Sequence, residues 1–523
     1  MSANASPHLA SLHLAPLHVS PGAADIAGLI GDDEMRLAEP AAAARLPSFL
    51  SKIRAAERLA GRPFAEFDAT LQDALTLRRL QQMTATLQSN PAWAARLAAA
   101  GFTGPLRDFD HWRTLPFSDK ETMSALYMGA REGVVAPFSA GGFQIVASGG
   151  TSSGQPVETV YSLRELHDTY EFAGEFMGRY QLARYFGDDA PRWVMTTLSD
   201  YQLWSSGAMV GGVLQKIPDI NYLGAGPVSM EVYQHILNYP GPKAIMGITA
   251  SIAILPELGA GLSEAARRSL RVAMYGSGVL NARNRAELQA AYPDVSILSY
   301  FAATQAETIA LQLDADCPWL TVVPGLHLVE IVDADGRWVE EGEEGDLVVT
   351  RLHAHEAPLP RLRIGDRVIR RPSLTGPGLN APRFEYVGRS GDVIHLGDTQ
   401  YSAARVLAGL TQSLRGVGVD LDRAAREVQF VNDRPTRTLT FLAAVDSPPT
   451  LQACLAVLGP DGGGRLFGEA LIGSLSLFNQ GEANFHYLAK TGYRFELRFT
   501  PAGSPEIHRT SVGKTPLLRD NHA

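Results

Sequence analysis

The chain has 523 residues, 45% of them hydrophobic and 19% charged, with a formal net charge of -9. That length exceeds what one hydrophobic core usually serves, so two or more domains are expected, and the composition excludes a disordered or fibrous chain. An acidic balance without a long basic tract argues against nonspecific nucleic-acid binding, and the only cysteines, Cys317 and Cys454, exclude a disulfide framework and fit a reducing, cytoplasmic compartment.

In chain order, the first 45 residues are rich in Ala, Pro and His and read as an irregular arm or cap. The start, MSANASPHLASLHLAPLHVS, lacks a basic segment followed by a continuous apolar run, so no secretory leader is expected. No stretch has the apolar length of a bilayer span, and the run from Val445 to Leu458 is broken by Asp446 and Pro448. Between Ala65 and Ala100, Leu71, Leu75, Leu80 and Met83 recur near helical spacing, and Pro91 interrupts the pattern. A core-facing helix pair is predicted there.

Residues 141–162, GGFQIVASGGTSSGQPVETVYS, hold two β-type runs around a centre of Gly, Ser and Thr. They predict strand, loop, strand. Glycines let backbone N–H groups turn towards an anion, and the hydroxyls from Ser148 to Ser153 are able to donate to phosphate oxygens. A crowded or mobile turn accounts for the same composition. Trp193–Leu198 and Arg271–Gly276 read as strands, Arg283–Ala291 as a helix and Val295–Tyr300 as the next strand. That order predicts an α/β domain with a buried sheet.

Near Thr321 the texture shifts to two alternating runs around a polar turn, LHLVEIVDADGRWVEEGEEGDLVVTRL, which predict antiparallel sheet. Arg363-Ile364-Gly365-Asp366 follows. Asp366 is either a carboxylate that accepts both hydroxyls of a ribose or an ordinary turn residue. Gly388-Arg389-Ser390-Gly391-Asp392 reads as a hinge with an anion-contacting Arg, or as a surface loop. Beyond it, REVQFV, TLTFLAAV and YRFELRFT are strand candidates with helices between them, and Gly459–Gly464 reads as a surface turn. The tail SVGKT, Ser511–Thr515, ends like a P-loop, but His508 stands where a P-loop needs Gly and no βαβ unit has room to follow. Lys514 is then a loop-borne cation aimed at developing negative charge, or an exposed lysine.

In this order, these four elements resemble the adenylate-forming (AMP-binding) enzyme superfamily, and most closely its phenylacetate-CoA ligase-like branch. The similarity runs from about Leu75 to Arg519 and takes in LQQMTATLQSNPAWAARLAAAG and LPFSDKETM, Leu115–Met123. It implies a large multi-sheet α/β core over residues 1–387, with an N-terminal helical portion, and a small mobile α+β domain over 388–523. It also implies roles. Ser148, Thr151, Ser152, Ser153 and Gly154 match the loop that holds the ATP phosphates. Gly276, Ser277 and Gly278 match the segment bordering adenine, with Phe301 against the purine and Thr304 approaching the α-phosphate. Asp366 matches the ribose-binding aspartate, Arg389 the hinge arginine and Lys514 the lysine that enters for adenylation. Gln305 and Glu307 fall at or near the magnesium position. Trp204, Ile248, Met274, Tyr275 and Tyr300 are acyl-pocket candidates by family position, while His327 and Lys243 are polar residues without an assigned role.

The chain departs from the family pattern in four respects. Its phosphate loop is one residue longer than the commonest form. Gln305 stands where Glu usually helps bind Mg²⁺. Gly391 replaces the usual Asp or Lys of the hinge. Only Cys317 and His327 remain of the Cys-rich zinc site found in some relatives, so no zinc is expected. The implied reaction is ATP- and Mg²⁺-dependent activation of an aromatic or bulky apolar carboxylic acid as acyl adenylate, then transfer to CoA. An amine or carrier-protein acceptor is the alternative, as is a non-catalytic nucleotide-binding regulator. No nucleic-acid or membrane partner is expected, and a homodimer is a family-based expectation.

Overall fold

The computed structural model describes residues 21–147, 157–200, 203, 205–276, 280, 282–389, 392–396, 399–459, 461–474, 492–510 and 513–521. Of the first 45 residues, read as an irregular arm or cap, 1–20 lie outside the described residues; the rest form a short helix, Ala23–Ala27, and 3-10 turns that pack on the core, with Ile26 and Ile30 fully buried. The expected helix pair spans Ala69–Ser89 and Pro91–Ala99. Asp68 accepts the Leu71 N–H at 3.1 Å and Asn90 accepts the Trp93 N–H at 3.0 Å, so each helix starts on a side-chain cap. Pro91 sits in the first turn of the second helix, where a missing N–H costs nothing.

Strands β1 (Phe143–Ala147) and β2 (Glu158–Ser162) pair antiparallel with Ala147 opposite Glu158. The two ends of the Gly/Ser/Thr-rich segment therefore lie side by side. Next come β3 (Trp193–Thr196), β4 (Asn221–Gly224), β5 (Lys243–Ile248), β6 (Leu270–Gly276) and β7 (Ser296–Ala303), parallel in the order β4-β3-β5-β6-β7. Side chains alternate across this sheet. Met246, Met274 and Leu298 face the main core, while Ile245, Ala273, Tyr275 and Ile297 join a second core beneath flanking helices.

The same sheet continues through β8 (Glu307–Asp314), β9 (Cys317–Val322), β10 (His327–Val332), β11 (Glu344–Arg351), β12 (Leu362–Leu374) and β13 (Ala381–Arg389), in the order β7-β8-β9-β13-β12-β11-β10. All of these added pairs are antiparallel. The hairpin β14 (Val393–Leu396) and β15 (Thr399–Ser402) leads to a separate sheet ordered β18-β17-β16-β19. Its strands are β16 (Ala425–Asp433), β17 (Thr438–Val445), β18 (Arg494–Pro501) and β19 (Leu518–Asn521). It has its own core, built on Phe430, Phe441, Phe467 and Leu410.

The surface-turn expectation for Gly459–Gly464 is corrected. Gly462, Gly463 and Gly464 open a helix, Gly462–Ser474, that packs on β18. A Cβ on Gly464 would stand 2.8 Å from the Phe495 carbonyl, so glycine is what permits the helix to approach. No helix among the described residues is long and apolar enough to cross a membrane.

One buried ion pair ties the amino-terminal helices to the sheet. Arg361 Nη2 lies 3.0 Å from Glu330 Oε1, both side chains are at most 1% exposed, and Trp112 and Trp338 donate their indole N–H groups to the same carboxylate at 3.2 and 2.8 Å. The Arg361 guanidinium also donates to the carbonyls of Arg113 and Leu115. Removing one member of such a pair leaves the other charge buried alone. Glu330→Ala is expected to lower the stability of this unit by about 3–5 kcal/mol, measured as a shift in its denaturant-unfolding midpoint followed by tryptophan fluorescence.

Candidate active site

Strands β3, β5, β6 and β7 end together at Thr196, Ile248, Gly276 and Ala303, on the edge where open α/β sheets bind ligands. At that edge Gly276 is required by contact. A Cβ there would stand 2.5 Å from the Tyr300 ring, whose hydroxyl donates to the Gly247 carbonyl at 3.2 Å. The Gly276 carbonyl accepts from the Thr249 hydroxyl at 3.1 Å.

Thr304 and Gln305 occupy the tip of the tight β7–β8 turn, closed by the Ala306 N–H on the Ala303 carbonyl at 3.0 Å. Tyr161 donates its hydroxyl to the Thr304 carbonyl at 2.8 Å. Phe301, one strand turn earlier, packs against Phe384 and Tyr386 of β13 at ring-centroid distances of 5.6 and 5.7 Å. The Tyr386 hydroxyl in turn hydrogen-bonds to the Asp366 carboxylate.

Asp366 lies in β12 directly opposite Arg389 of β13, after Gly365 at φ +81°. It is therefore a strand residue rather than an ordinary turn aspartate. Its carboxyl is buried, with Arg389 Nε 3.6 Å from Oδ1. Burial raises its pKa to about 6; Arg389, the Tyr386 hydroxyl and Lys514 oppose that shift, and Asp392 adds to it. Lys514 arrives from the far end of the chain. Its loop is closed by the Thr510 N–H on the Lys514 carbonyl at 2.8 Å and the Gly513 N–H on the Thr510 carbonyl at 2.8 Å, with Gly513 at φ +76°. The Thr515 hydroxyl straps it to Glu427 of β16 at 2.6 Å. Burial lowers the Lys514 ammonium to about 8, Arg389 pushes in the same direction, and Asp366 pulls back.

The structure thus brings together Asp366, Arg389 and Lys514, with Phe301 joined to Asp366 through Tyr386. It separates others. Met274 and Tyr275 face opposite sides of the sheet, Met274 in the main core and Tyr275 in the second core with its hydroxyl accepting from Arg285 at 3.1 Å, so they do not line one pocket. Lys243 is buried at the opposite end of β5, where its ammonium donates to the carbonyls of Tyr239 and Gly241 and to the Ser269 hydroxyl. His327 is buried, and burial holds its imidazole well below the usual range. Ile248 is partly buried at the end of β5. Ser148, Thr151, Ser152, Ser153, Gly154, Trp204, Ser277, Gly278 and Gly391 lie outside the described residues.

Magnesium at ATP sites is held by one or two carboxylates, phosphates and water. Gln305 is a neutral amide. Glu307, at φ +44°, turns into the interior, where burial raises its carboxyl to about 7 against the pull of Arg351. These two residues do not form an anionic magnesium site as placed, and among the described residues no group of three or more His, Cys, Asp or Glu is arranged to hold a metal.

Three side chains near the cluster were not anticipated: Tyr386, Asp392 and Lys120. Ser118 pairs with Leu362, exchanging N–H and carbonyl bonds with Arg361 and Arg363, so the segment up to Lys120 runs beside β12. Burial and then Arg389 lower the Lys120 ammonium. Asp392 closes the Gly388–Asp392 segment and Lys120 lies in the LPFSDKETM signature, but neither motif assigns that side chain a role.

The fold is that of adenylate-forming enzymes. 2-Hydroxyisobutyryl-CoA ligase in its postadenylation state, in complex with R3-HIB-AMP, superposes with a TM-score of 0.65 at 14% identity, covering 88% of this chain and 91% of that one. The same ligase with 2-HIB-AMP and CoA in the thioesterification state gives 0.54 at 16% identity over 88% and 91% of the two chains. The acyl acid amido synthetase AtGH3.15 in complex with 2,4-DB gives 0.55 at 13% identity over 87% of this chain and 95% of that one. No family model matches the sequence, and no curated protein matches it.

Because Arg389 disfavours the charged form of Lys514 and favours that of Asp366, removing its charge raises both pKa values. Competitive amine acylation of the protein, read at the Lys514 peptide by mass spectrometry across pH, is expected to give a midpoint near 8. The same experiment on Arg389→Gln is expected to move that midpoint upward.

Proposed function

We propose that this protein activates a carboxylic acid, aromatic or bulky and apolar, as an acyl adenylate in the manner of the phenylacetate-CoA ligase-like branch, and passes the acyl group to CoA. The observation that carries the reading is the convergence of Asp366, Arg389 and Lys514, which span 148 positions in sequence and meet where β12, β13 and the carboxy-terminal loop come together. ATP enters as its magnesium complex. A carboxylate oxygen of the acid attacks the α-phosphorus, the bond to the bridging oxygen breaks, and pyrophosphate leaves with the electron pair. No proton need be abstracted, because the nucleophile is already ionised. Catalysis is then positioning and charge stabilisation. Asp366 accepts the ribose hydroxyls, Thr304 approaches the α-phosphate, and the Lys514 ammonium sits against the charge gathering on carboxyl and phosphoryl oxygens. In the second step the CoA thiol displaces AMP.

ATP–pyrophosphate exchange over a panel of aromatic and aliphatic acids, with mass detection of the adenylate, tests the reading. Exchange with at least one acid is expected, and Lys514→Ala is expected to lower its rate about 100-fold or more. The wild-type kcat/KM for ATP is expected to fall as pH rises through about 8, where Lys514 loses its proton. ATP binding without exchange would instead favour a nucleotide-binding regulator. AMP release that depends on an amine and not on CoA would favour the amide-forming reading, which the AtGH3.15 likeness keeps in view.

We also propose that residues 388–523 move as a mobile domain about the Arg389–Asp392 segment. In the arrangement described, this part is held by a ring of alternating charges. Arg283 donates to Glu287 at 2.9 Å and to Asp446, and Arg426 reaches Asp446 at 2.7 Å and Glu287 at 3.8 Å. Glu344 also accepts from Arg367 and from Arg405 at 2.6 and 2.7 Å. The better superposition on the postadenylation state than on the thioesterification state supports this as the adenylation arrangement. Such partly exposed pairs contribute about 0.2–1 kcal/mol each. Arg283→Glu is expected to slow adenylate formation about twofold to fivefold without slowing acyl transfer from preformed adenylate, measured by single-turnover quench.

A further inference from the structure

Beneath the Thr304 turn lies a buried polar cluster that the proposed mechanism does not use. Tyr161, Arg351 and Glu165 are each at most 2% exposed. Arg351 Nε lies 3.1 Å from Glu165 Oε1, and Arg351 Nη2 donates to the carbonyls of Ala357 and Val160 at 2.7 and 3.1 Å. Its guanidinium stands over the Tyr161 ring, 4.2 Å from the centroid. The far end of that ring carries the hydroxyl that donates to the Thr304 carbonyl at 2.8 Å. A buried ion pair is weak evidence for stability, since apolar residues of the same volume usually do as well. Its placement is informative instead. Tyr161 belongs to β2, three residues after Glu158, the strand that receives the Gly/Ser/Thr-rich segment, and its ring packs with Val146 just before that segment. Thr304 belongs to the other side of the proposed nucleotide site.

We infer that Tyr161, held by Arg351 and Glu165, is a positioning residue that fixes the Thr304 turn against the strand leaving the phosphate-binding segment, so that both contact the same triphosphate in register. This rests on the adenylation reading and deepens it. The cluster is suited to the task. The ring cannot swing while a cation covers its face, the guanidinium cannot turn while two carbonyls and a carboxylate hold it, and a single rigid hydroxyl delivers that restraint to the turn. Glu307, which continues the turn inward at φ +44°, places a buried carboxyl within electrostatic reach of Arg351.

The test is a double-mutant cycle between Tyr161→Phe and Thr304→Ala, read by ATP–pyrophosphate exchange. Tyr161→Phe keeps the ring under the guanidinium and removes one hydroxyl. It is expected to lower kcat about tenfold while the KM of the acid stays within about twofold and the thermal midpoint stays close to wild type. In the Thr304→Ala background the same change is expected to have little further effect, because the main-chain carbonyl is kept but the Thr304 side chain that the restraint positions is gone. Equal losses in both backgrounds would overturn the inference, as would wild-type exchange by Tyr161→Phe. A fall in kcat accompanied by an equal loss of folded protein would make the cluster structural only and would also overturn it. A wild-type protein that exchanges with no acid would overturn both this inference and the adenylation reading, whereas an active wild type with an unaffected Tyr161→Phe would overturn this inference alone.

Discussion

A carboxylate and an ammonium, both withdrawn from water, share one guanidinium at the edge of the large sheet. Burial alone would neutralise both Asp366 and Lys514. Arg389 acts on them with opposite consequences, favouring the charged carboxylate and disfavouring the charged amine. The result is a carboxyl that is ionised near neutral pH and an amine only just protonated there. Bound phosphate would change that balance in one direction, because added negative charge favours the ammonium and offsets the repulsion between Arg389 and Lys514.

The scaffold explains why these three groups can meet. Parallel strands deliver Ile248, Gly276 and Ala303 to one edge, and the sheet then turns antiparallel so that β12 and β13 carry Asp366 and Arg389 to face each other. The carboxy-terminal sheet folds around its own core, and Thr515 and Arg509 anchor its loop on Glu427. At the other side of the site the Gly276 backbone is pressed onto the Tyr300 ring, a contact that any side chain at 276 would forbid.

Much of this was legible in the sequence where local pattern decides the outcome. The alternating runs of β10 and β11, the apolar β6 and the capped helices around Pro91 all follow from spacing and cap chemistry. The sequence positions of Asp366, Arg389 and Lys514 were legible only as an ordered set. Their meeting depends on pairings between strands distant in sequence, which no local period encodes. Facing direction was not legible at Met274 and Tyr275. Met274 and Tyr275 are neighbours in sequence, and the period of two in a strand sends them to different cores. Gly462–Gly464 read as a turn because glycine is a poor helix former, yet close packing on Phe495 overrides that preference. Lys243, a polar residue without an assigned role in the sequence, donates to main-chain carbonyls at the opposite end of its strand.

The neutral Gln305 fits this electrostatic picture. A glutamate at the turn tip would add a negative charge near a triphosphate that a magnesium ion would have to offset. Here the tip carries an amide, and the nearest glutamate, Glu307, is turned inward with its carboxyl raised to about 7 by burial. Near the proposed phosphate path the described cations are Arg389, Lys514 and the partly desolvated Lys120, beside the carboxyls of Asp366 and Asp392. Adenylation needs no general base, so losing an anionic side chain at the turn removes no proton acceptor from the reaction.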